Sequence, residues 1–310
     1  MKSLSFELRP VPPFRLDLTA WALRRRPHNL VDRWDGTSWR RVLTIDDQPL
    51  ETAVMQLGTS ERPRLRVTLN GCRIPEHAKR NAARLLTQMF GLSADLSCFY
   101  HLAARDKRLA SLARRFRGLK PPRFPSVFEG LVNAIACQQL SLTVGIGLLN
   151  RLAEQCGPTV HYDGGVHHAF PRPADLLHMT PDSLRTLGFS FTKARSLLEL
   201  AQTAAAGRLE PETLEKRPDE EVFGLLLNLH GIGRWTAEYV LLRGLGRTNI
   251  FPGDDVGARN RLAQWLGVES TPGGWQPEFH SVQNRPDPGI ERLCHSEVWL
   301  FHSTHPPGAL

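Results

Sequence analysis

The residues able to do chemistry concentrate between Leu225 and Leu266 of this 310-residue chain. Leu225-Leu-Leu-Asn-Leu-His-Gly-Ile-Gly-Arg-Trp-Thr-Ala-Glu-Tyr-Val240 reads as an apolar helix, a tight turn with two glycines, and a second helix that starts at once. Gly231 and Gly233 are expected to adopt backbone angles that other residues avoid and to bare N–H groups at the start of the second helix. Free amides at a helix N-terminus attract phosphate, so such a turn suits gripping a nucleic-acid backbone without reading its sequence. Ile232 is expected to tuck between the two helices. Phe251-Pro-Gly-Asp-Asp-Val256 follows and leads into a helix over 257–266. Two acids at a helix start suit capping. Trp235 and Tyr239, four residues apart, share one helix face, as either a core or a pocket requires.

Composition narrows the setting. Apolar content of 41% and charged content of 23% are those of a globular chain. A formal charge of +8, carried mostly by arginine, allows a polyanionic partner, and Arg24-Arg25-Arg26, Arg105 to Arg108 and Arg114-Arg115-Phe116-Arg117 would suit phosphate contacts. No run of 18 apolar residues occurs, and the start MKSLSFELRP reads as no secretory signal. Five cysteines, scattered and without a CxxC, argue against an iron–sulfur cluster and fit a reducing cytoplasm, near the nucleoid if the source is bacterial. No acidic ligand set for a catalytic metal is apparent, and no apolar interface pattern demands an oligomer, so a monomer without a catalytic cofactor is expected.

The elements that must hold these residues fall into two parts and a tail: an N-terminal α+β domain over 1–90, an all-α domain over 91–276, and a divergent segment over 277–310. Phe14-Arg15-Leu16-Asp17-Leu18, Arg41-Val42-Leu43-Thr44-Ile45 and Leu65-Arg66-Val67-Thr68-Leu69 are strand candidates, with turns at Asp35-Gly36 and Asn70-Gly71. A helix is expected over 76–89. Beyond it the spacing predicts a basic amphipathic stretch over 101–116, a long apolar helix over 128–152, a loop over 161–172, a helix from Thr180 ending near Gly188, and another over 192–206. Phe191-Thr192-Lys193 and Arg195 look like a second phosphate-contacting helix start.

At Gly231-Ile-Gly-Arg-Trp-Thr-Ala-Glu-Tyr239, Phe251-Pro-Gly-Asp-Asp255 and Phe128-Glu-Gly-Leu-Val-Asn-Ala-Ile-Ala-Cys-Gln-Gln-Leu-Ser141 the chain resembles the helix-hairpin-helix DNA glycosylases, more closely their AlkA-type branch, 3-methyladenine DNA glycosylase II. The resemblance covers roughly residues 10–276. It implies a base-excision-repair enzyme that hydrolyses the N-glycosidic bond of an alkylated purine flipped out of duplex DNA. It makes Asp255 the catalytic carboxylate, opposing an oxocarbenium-like sugar or orienting water, while Asp254 caps the helix. A lysine stands at the place of Trp235 in relatives that also nick the strand, so tryptophan implies a monofunctional enzyme. Trp235 and Tyr239 would line the base pocket, where aromatic faces attract cationic methylated bases. Gln138 would line it too, and Gln139 or Leu140 would fill the gap left in the stack. Gly231, Gly233, Arg234 and Thr236 are expected on the DNA backbone, with Lys193 nearby. Carbonyls near Leu227, Leu229 and Ile232 are expected to hold a structural Na+ or K+.

Past Pro277 the resemblance fades: Pro286, Pro288 and Gly289 prevent a helix where the family has one, and Trp299 is the candidate for its pocket-closing aromatic. That departure keeps two rivals in view, a catalytically silent damage-binding protein and a glycosylase for deaminated or oxidised bases.

Overall fold

The computed structural model describes residues 1–266; Trp299 and the whole segment 277–310 lie outside the described residues. The fold is α+β. An antiparallel sheet of β1 (Lys2–Leu8), β2 (Arg33–Trp34), β3 (Ser38–Ile45), β4 (Gln48–Leu57) and β5 (Arg64–Gly71) has the order β1-β5-β4-β3-β2. Alternation sets its register: Leu65, Val67 and Leu69 are buried while Arg64 and Arg66 are exposed. β3 and β4 turn through Asp46 and Asp47, both at positive φ (48° and 59°), as a two-residue type I′ hairpin requires.

Two N-terminal expectations change. The stretch 14–18 enters a helix, α1 (Leu16–Arg24), because Leu16, Ala20 and Leu23 form a helical stripe on the sheet core while Leu18 and Ala22 meet Phe116 and Leu119. A five-residue window shows only the period-two part of that stripe. Asn70-Gly71 is no turn: it ends β5, paired with Ser3 and Lys2 of a strand that local reading did not find. α2 (Ala78–Phe90) lays Ala78, Ala82, Leu86 and Met89 on the sheet, and Trp39 meets Phe90 edge to face at 4.9 Å.

The rest is helical. α3 (Ser97–Ala103) and α4 (Lys107–Arg115) divide the expected basic helix, since Asp106 caps α4 through the amides of Arg108 and Leu109. The expected helix over 128–152 is also two, α5 (Val127–Cys137) and α6 (Leu142–Cys156). Gln138 is extended, Gln139 turns to a φ of 55°, and the Ser141 hydroxyl caps α6. Gly145 lets α6 cross Cys137, because a Cβ there would lie 2.5 Å from Sγ. The loop over 161–172 contains part of a hairpin, β6 (Thr159–Tyr162) and β7 (Gly165–His168), turned by Asp163-Gly164. Short α7 (Pro173–Leu176) and α8 (Pro181–Thr186) precede α9 (Phe191–Ala205). After α10 (Pro211–Leu214), α11 (Asp219–Leu227) and α12 (Arg234–Arg243) flank the glycine turn, and α13 (Val256–Leu266) follows the aspartates.

Helices α5, α6, α9 and α12 enclose one core, with Leu131, Ile135, Leu197 and Val240; the sheet and α2 enclose another. Charge ties the two. Arg41 of β3, 2% exposed, reaches Asp32 at 3.2 Å and Glu129 of α5 at 2.5 Å. A buried charge needs such partners to stay buried. Among the described residues no helix is long and apolar enough to cross a membrane.

Candidate active site

The glycine turn and the aspartate loop meet at one carboxylate. Asp255 is itself the cap of α13: its Oδ1 accepts the Ala258 N–H at 2.8 Å, and its Oδ2 accepts Trp235 Nε1–H at 3.1 Å. The expected division of labour between the two acids therefore does not hold. Asp254 is exposed, and the single carboxylate of Asp255 both starts the helix and is clamped by the indole.

Asp255 borders a cavity of about 200 Å³. That is below the roughly 300–1,000 Å³ of drug-sized pockets and suits one flat ring system. Trp235 and Tyr239 of α12 stack on each other at 5.3 Å and 21° along one wall. Asn133, Ala134 and Cys137 of α5 supply a second wall, and Leu140 and Leu142 sit at the break that follows. The remaining wall comes from residues that sequence reasoning missed: Arg243 at the end of α12, with Ala22 and Arg25 from the N-terminal body. Arg25 donates to Asn133 Oδ1, and its Nε–H is buried without a partner. Arg243 is 4% exposed; burial above all, with a smaller push from Arg25 and against the pull of Tyr239 and Asp32, brings its guanidinium down to about 10. Burial likewise pushes the Cys137 thiol up.

A wider groove of about 740 Å³ opens from the same mouth, shared through Cys137, Leu140, Trp235 and Asp255. Ser190, Thr192 and Lys193 at the start of α9 border it, as do Gln138 and Gln139. Gln139 is exposed and Leu140 is 43% exposed, so the tight turn between α5 and α6 pushes both side chains out beside the cavity.

Several expected contacts are internal. Gln138 lines the groove and not the cavity: its Nε2 donates to Gly231 O and Thr236 Oγ1, both at 3.0 Å. Thr236 is 1% exposed and holds that amide, which leaves no room for DNA. Lys193 Nζ donates to Gln138 O at 2.7 Å and Ala136 O at 3.2 Å, closing the end of α5 in place of a phosphate. Burial lowers its pKa. Arg195 pairs with Glu199. Of Arg24-Arg25-Arg26, Arg25 on Asn133 and Arg26 Nε on Thr143 Oγ1 at 3.2 Å clasp the two bodies, while Arg24 turns back onto Pro27 O.

The hairpin keeps one open face. Gly231 needs glycine, since φ is +78° and a Cβ would lie 2.3 Å from Ser196 Oγ. Gly233 does not share that need: its φ is −95°, and a Cβ would meet nothing within 4 Å. The space before the α12 amides is simply left clear. Arg234, half exposed, bonds through Nε to the buried Glu238, whose carboxyl burial raises. Ile232 is buried, and Leu227 and Leu229 carry the turn's preceding carbonyls.

A glycine-turned helix pair beside a clamped aspartate, with Ala22 and Arg25 of the N-terminal body completing the cavity, defines the class. Residues 132–281 match the model of the HhH-GPD superfamily base excision DNA repair proteins. The chain is 33% identical over 190 residues to the DNA-3-methyladenine glycosylase of Bacillus subtilis (strain 168), spanning 61% of this chain and 63% of that relative. It is 31% identical to DNA-3-methyladenine glycosylase 1 of Schizosaccharomyces pombe, over 52% of this chain and 68% of that one. The solved structure of a 3-methyladenine DNA-glycosylase from Archaeoglobus fulgidus superposes with a TM-score of 0.78 at 26% identity, covering 96% of this chain and 97% of the other. The chain belongs to the HhH-GPD superfamily.

Proposed function

We propose that the chain is a monofunctional DNA glycosylase of base excision repair, which hydrolyses the N-glycosidic bond of a damaged purine flipped out of duplex DNA. The carrying observation is Asp255, fixed by the Ala258 N–H and Trp235 Nε1–H at the mouth shared by a one-base cavity and an open groove. A base extruded into the cavity places its sugar at that mouth. As the C1′–N bond lengthens, the sugar gains oxocarbenium character that the carboxylate opposes, and water adds at C1′. Gln139 and Leu140 are suited to the space the base vacates, and the clear α12 amides at Gly233 to a phosphate. The names of the Bacillus and Archaeoglobus relatives support alkylated purines such as 3-methyladenine as the substrate class.

Lys193 is the lysine that borders the groove, and its ammonium is spent on two carbonyls, which supports water and not a Schiff base as the nucleophile. The hairpin also fits Na+ or K+. Leu229 O accepts one bond, from the Ile232 N–H at 3.2 Å, which leaves it a lone pair, and Leu227 ends α11 where carbonyls run out of helical partners. With Ile232 O these would hold the ion and add positive charge toward DNA. The same reading takes the protein as a cytoplasmic monomer acting on double-stranded DNA.

The test is incubation with methylated duplex DNA. Free methylpurine should appear, the strand should break only after alkali or heat, and borohydride should trap no adduct. DNA binding without base release would support the silent binder instead, and a trapped adduct would make Lys193 a nucleophile.

A further inference from the structure

The turn between α5 and α6 is fastened more firmly than a surface turn requires. Its exposed residues, Gln139 and Leu140, border the groove. Gln139 sits at a φ of 55°, a conformation that a residue with a Cβ adopts only at a cost. Such an outlier persists where its surroundings over-determine it. Here the fastening falls on the residue just before. Gln138 O accepts Lys193 Nζ–H at 2.7 Å, and the same ammonium donates to Ala136 O at 3.2 Å. The Gln138 side chain reaches the other way, donating to Gly231 O and Thr236 Oγ1, both at 3.0 Å. Three segments thus converge on one residue: the end of α5, the start of α9, and the glycine turn with the first turn of α12. Thr236 stands next to Trp235, whose indole clamps Asp255.

Resting on the glycosylase reading, we propose that Gln138 and Lys193 are positioning residues for base extrusion: they hold the Gln139-Leu140 turn rigid before DNA arrives and tie it to the hairpin. Both direct their donors into the protein, so their influence on the reaction passes through the turn. A side chain that enters the stack displaces a base only where its own backbone does not give way. Extrusion has to offset lost stacking and pairing, and a turn that slackens in response lets the base fall back. The link to Gly231 O adds a second constraint. That carbonyl belongs to the hairpin that the glycosylase reading puts on a phosphate, so the grip on the backbone and the side chains that replace the base keep a fixed spacing. The step these residues govern is therefore the departure of the base from the helix, and the cleavage of its bond stays with Asp255.

The experiment uses the full chain and duplexes with one 7-methylguanine, placed opposite cytosine or opposite an abasic-site analogue, and 2-aminopurine as its neighbour. A lesion without a partner is easier to extrude and makes less demand on the turn. Single-turnover release, relative to spontaneous loss, and the stopped-flow rise of 2-aminopurine fluorescence are measured for the native chain, Gln138→Met, Lys193→Met and Lys193→Arg. Circular dichroism confirms that each is folded; where one methionine variant is not, the other decides, since the two remove different bonds. Each methionine variant should slow release from the paired lesion about tenfold, as the loss of such hydrogen bonds implies, and from the unpaired lesion less than about threefold. The fluorescence rise on the paired duplex should slow in the same proportion, and Lys193→Arg should regain most of the native rate. Losses no larger for the paired lesion than for the unpaired one would mean that the junction only supports the fold. Native rates on both duplexes would mean that the turn needs no fastening. Either overturns the proposal, while base release by the native chain upholds the glycosylase reading. No release of any base by the native chain defeats that reading itself.

Discussion

Replacing Asp255 by Asn separates catalysis from folding with few side effects. Asparagine is as good a helix cap as aspartate, so the 2.8 Å bond from the Ala258 N–H survives. The loss falls on the other oxygen, where an amide NH2 would face Trp235 Nε1–H; that costs about 1–2 kcal/mol and leaves the fold intact. The catalytic loss is larger. A carboxylate and a sugar cation about 4 Å apart, at an effective dielectric of about 20, attract by about 4 kcal/mol, or about a thousandfold in rate. Single-turnover base release should therefore fall about a thousandfold in Asp255→Asn, while fluorescence anisotropy reports DNA affinity within a few fold of native. Release within tenfold of native would refute the assignment of Asp255, and so would equal losses of rate and affinity, because the carboxylate would then be only a piece of the binding surface.

Three further outcomes follow from the same geometry. Trp235→Phe keeps a ring in the wall but removes the donor to Asp255 Oδ2, so kcat should drop about tenfold with KM little changed, as steady-state kinetics on a defined lesion can show. The two hairpin glycines should separate: Gly231→Ala, strained at φ +78° and 2.3 Å from Ser196 Oγ, should lose about 1–3 kcal/mol in urea denaturation. Gly233→Ala should leave stability within about 0.5 kcal/mol yet weaken DNA binding about fivefold, worth about 1 kcal/mol at a helix N-terminus. Asp35 supplies an acid-limb signature: burial works against its charge, but bonds from the Thr37 and Ser38 amides hold its pKa at about 2. A folded-state pKa below the ordinary value of 3.8 gives stability that is complete above about pH 4 and lost as pH falls through 2, so the Tm advantage of the native chain over Asp35→Asn should shrink across that window.

What could be read from sequence was what lies close along the chain. The glycine turn, the aspartate loop and the four-residue spacing of Trp235 and Tyr239 are local, and each stands where its spacing put it. Roles that depend on distant partners were not legible. Gln138 and Lys193 look available for a ligand until segments 98 and 55 residues away supply Thr236 Oγ1 and the Gln138 carbonyl. The choice between Asp254 and Asp255 as cap turns on one bond to Ala258, which either spacing allows. The α5–α6 break hides in an apolar run because Ser141 caps only once the chain has turned at Gln139. One signal was present and unused: Asp163-Gly164 is a hairpin pair inside a stretch read as loop. Arg25 was hardest to see, since a run of three arginines looks like a phosphate patch and nothing local marks the middle one as facing a cavity.

The clasp between the two bodies has a consequence for how such a site can change over generations. Arg25 on Asn133, Arg26 on Thr143, Arg41 on Glu129 and the bridge of Val42 to Ala169 all stitch the N-terminal body to the helical one. The cavity beside Asp255 meets that seam at Ala22 and Arg25, so its width depends on how the two separately cored bodies are seated as well as on the packing of the helical one. Substitutions along the seam, well away from any base, can then widen or tilt one wall against the other without disturbing Asp255 or the hairpin. Lesion range becomes a property that drifts with docking, while the chemistry stays anchored in a single helical unit.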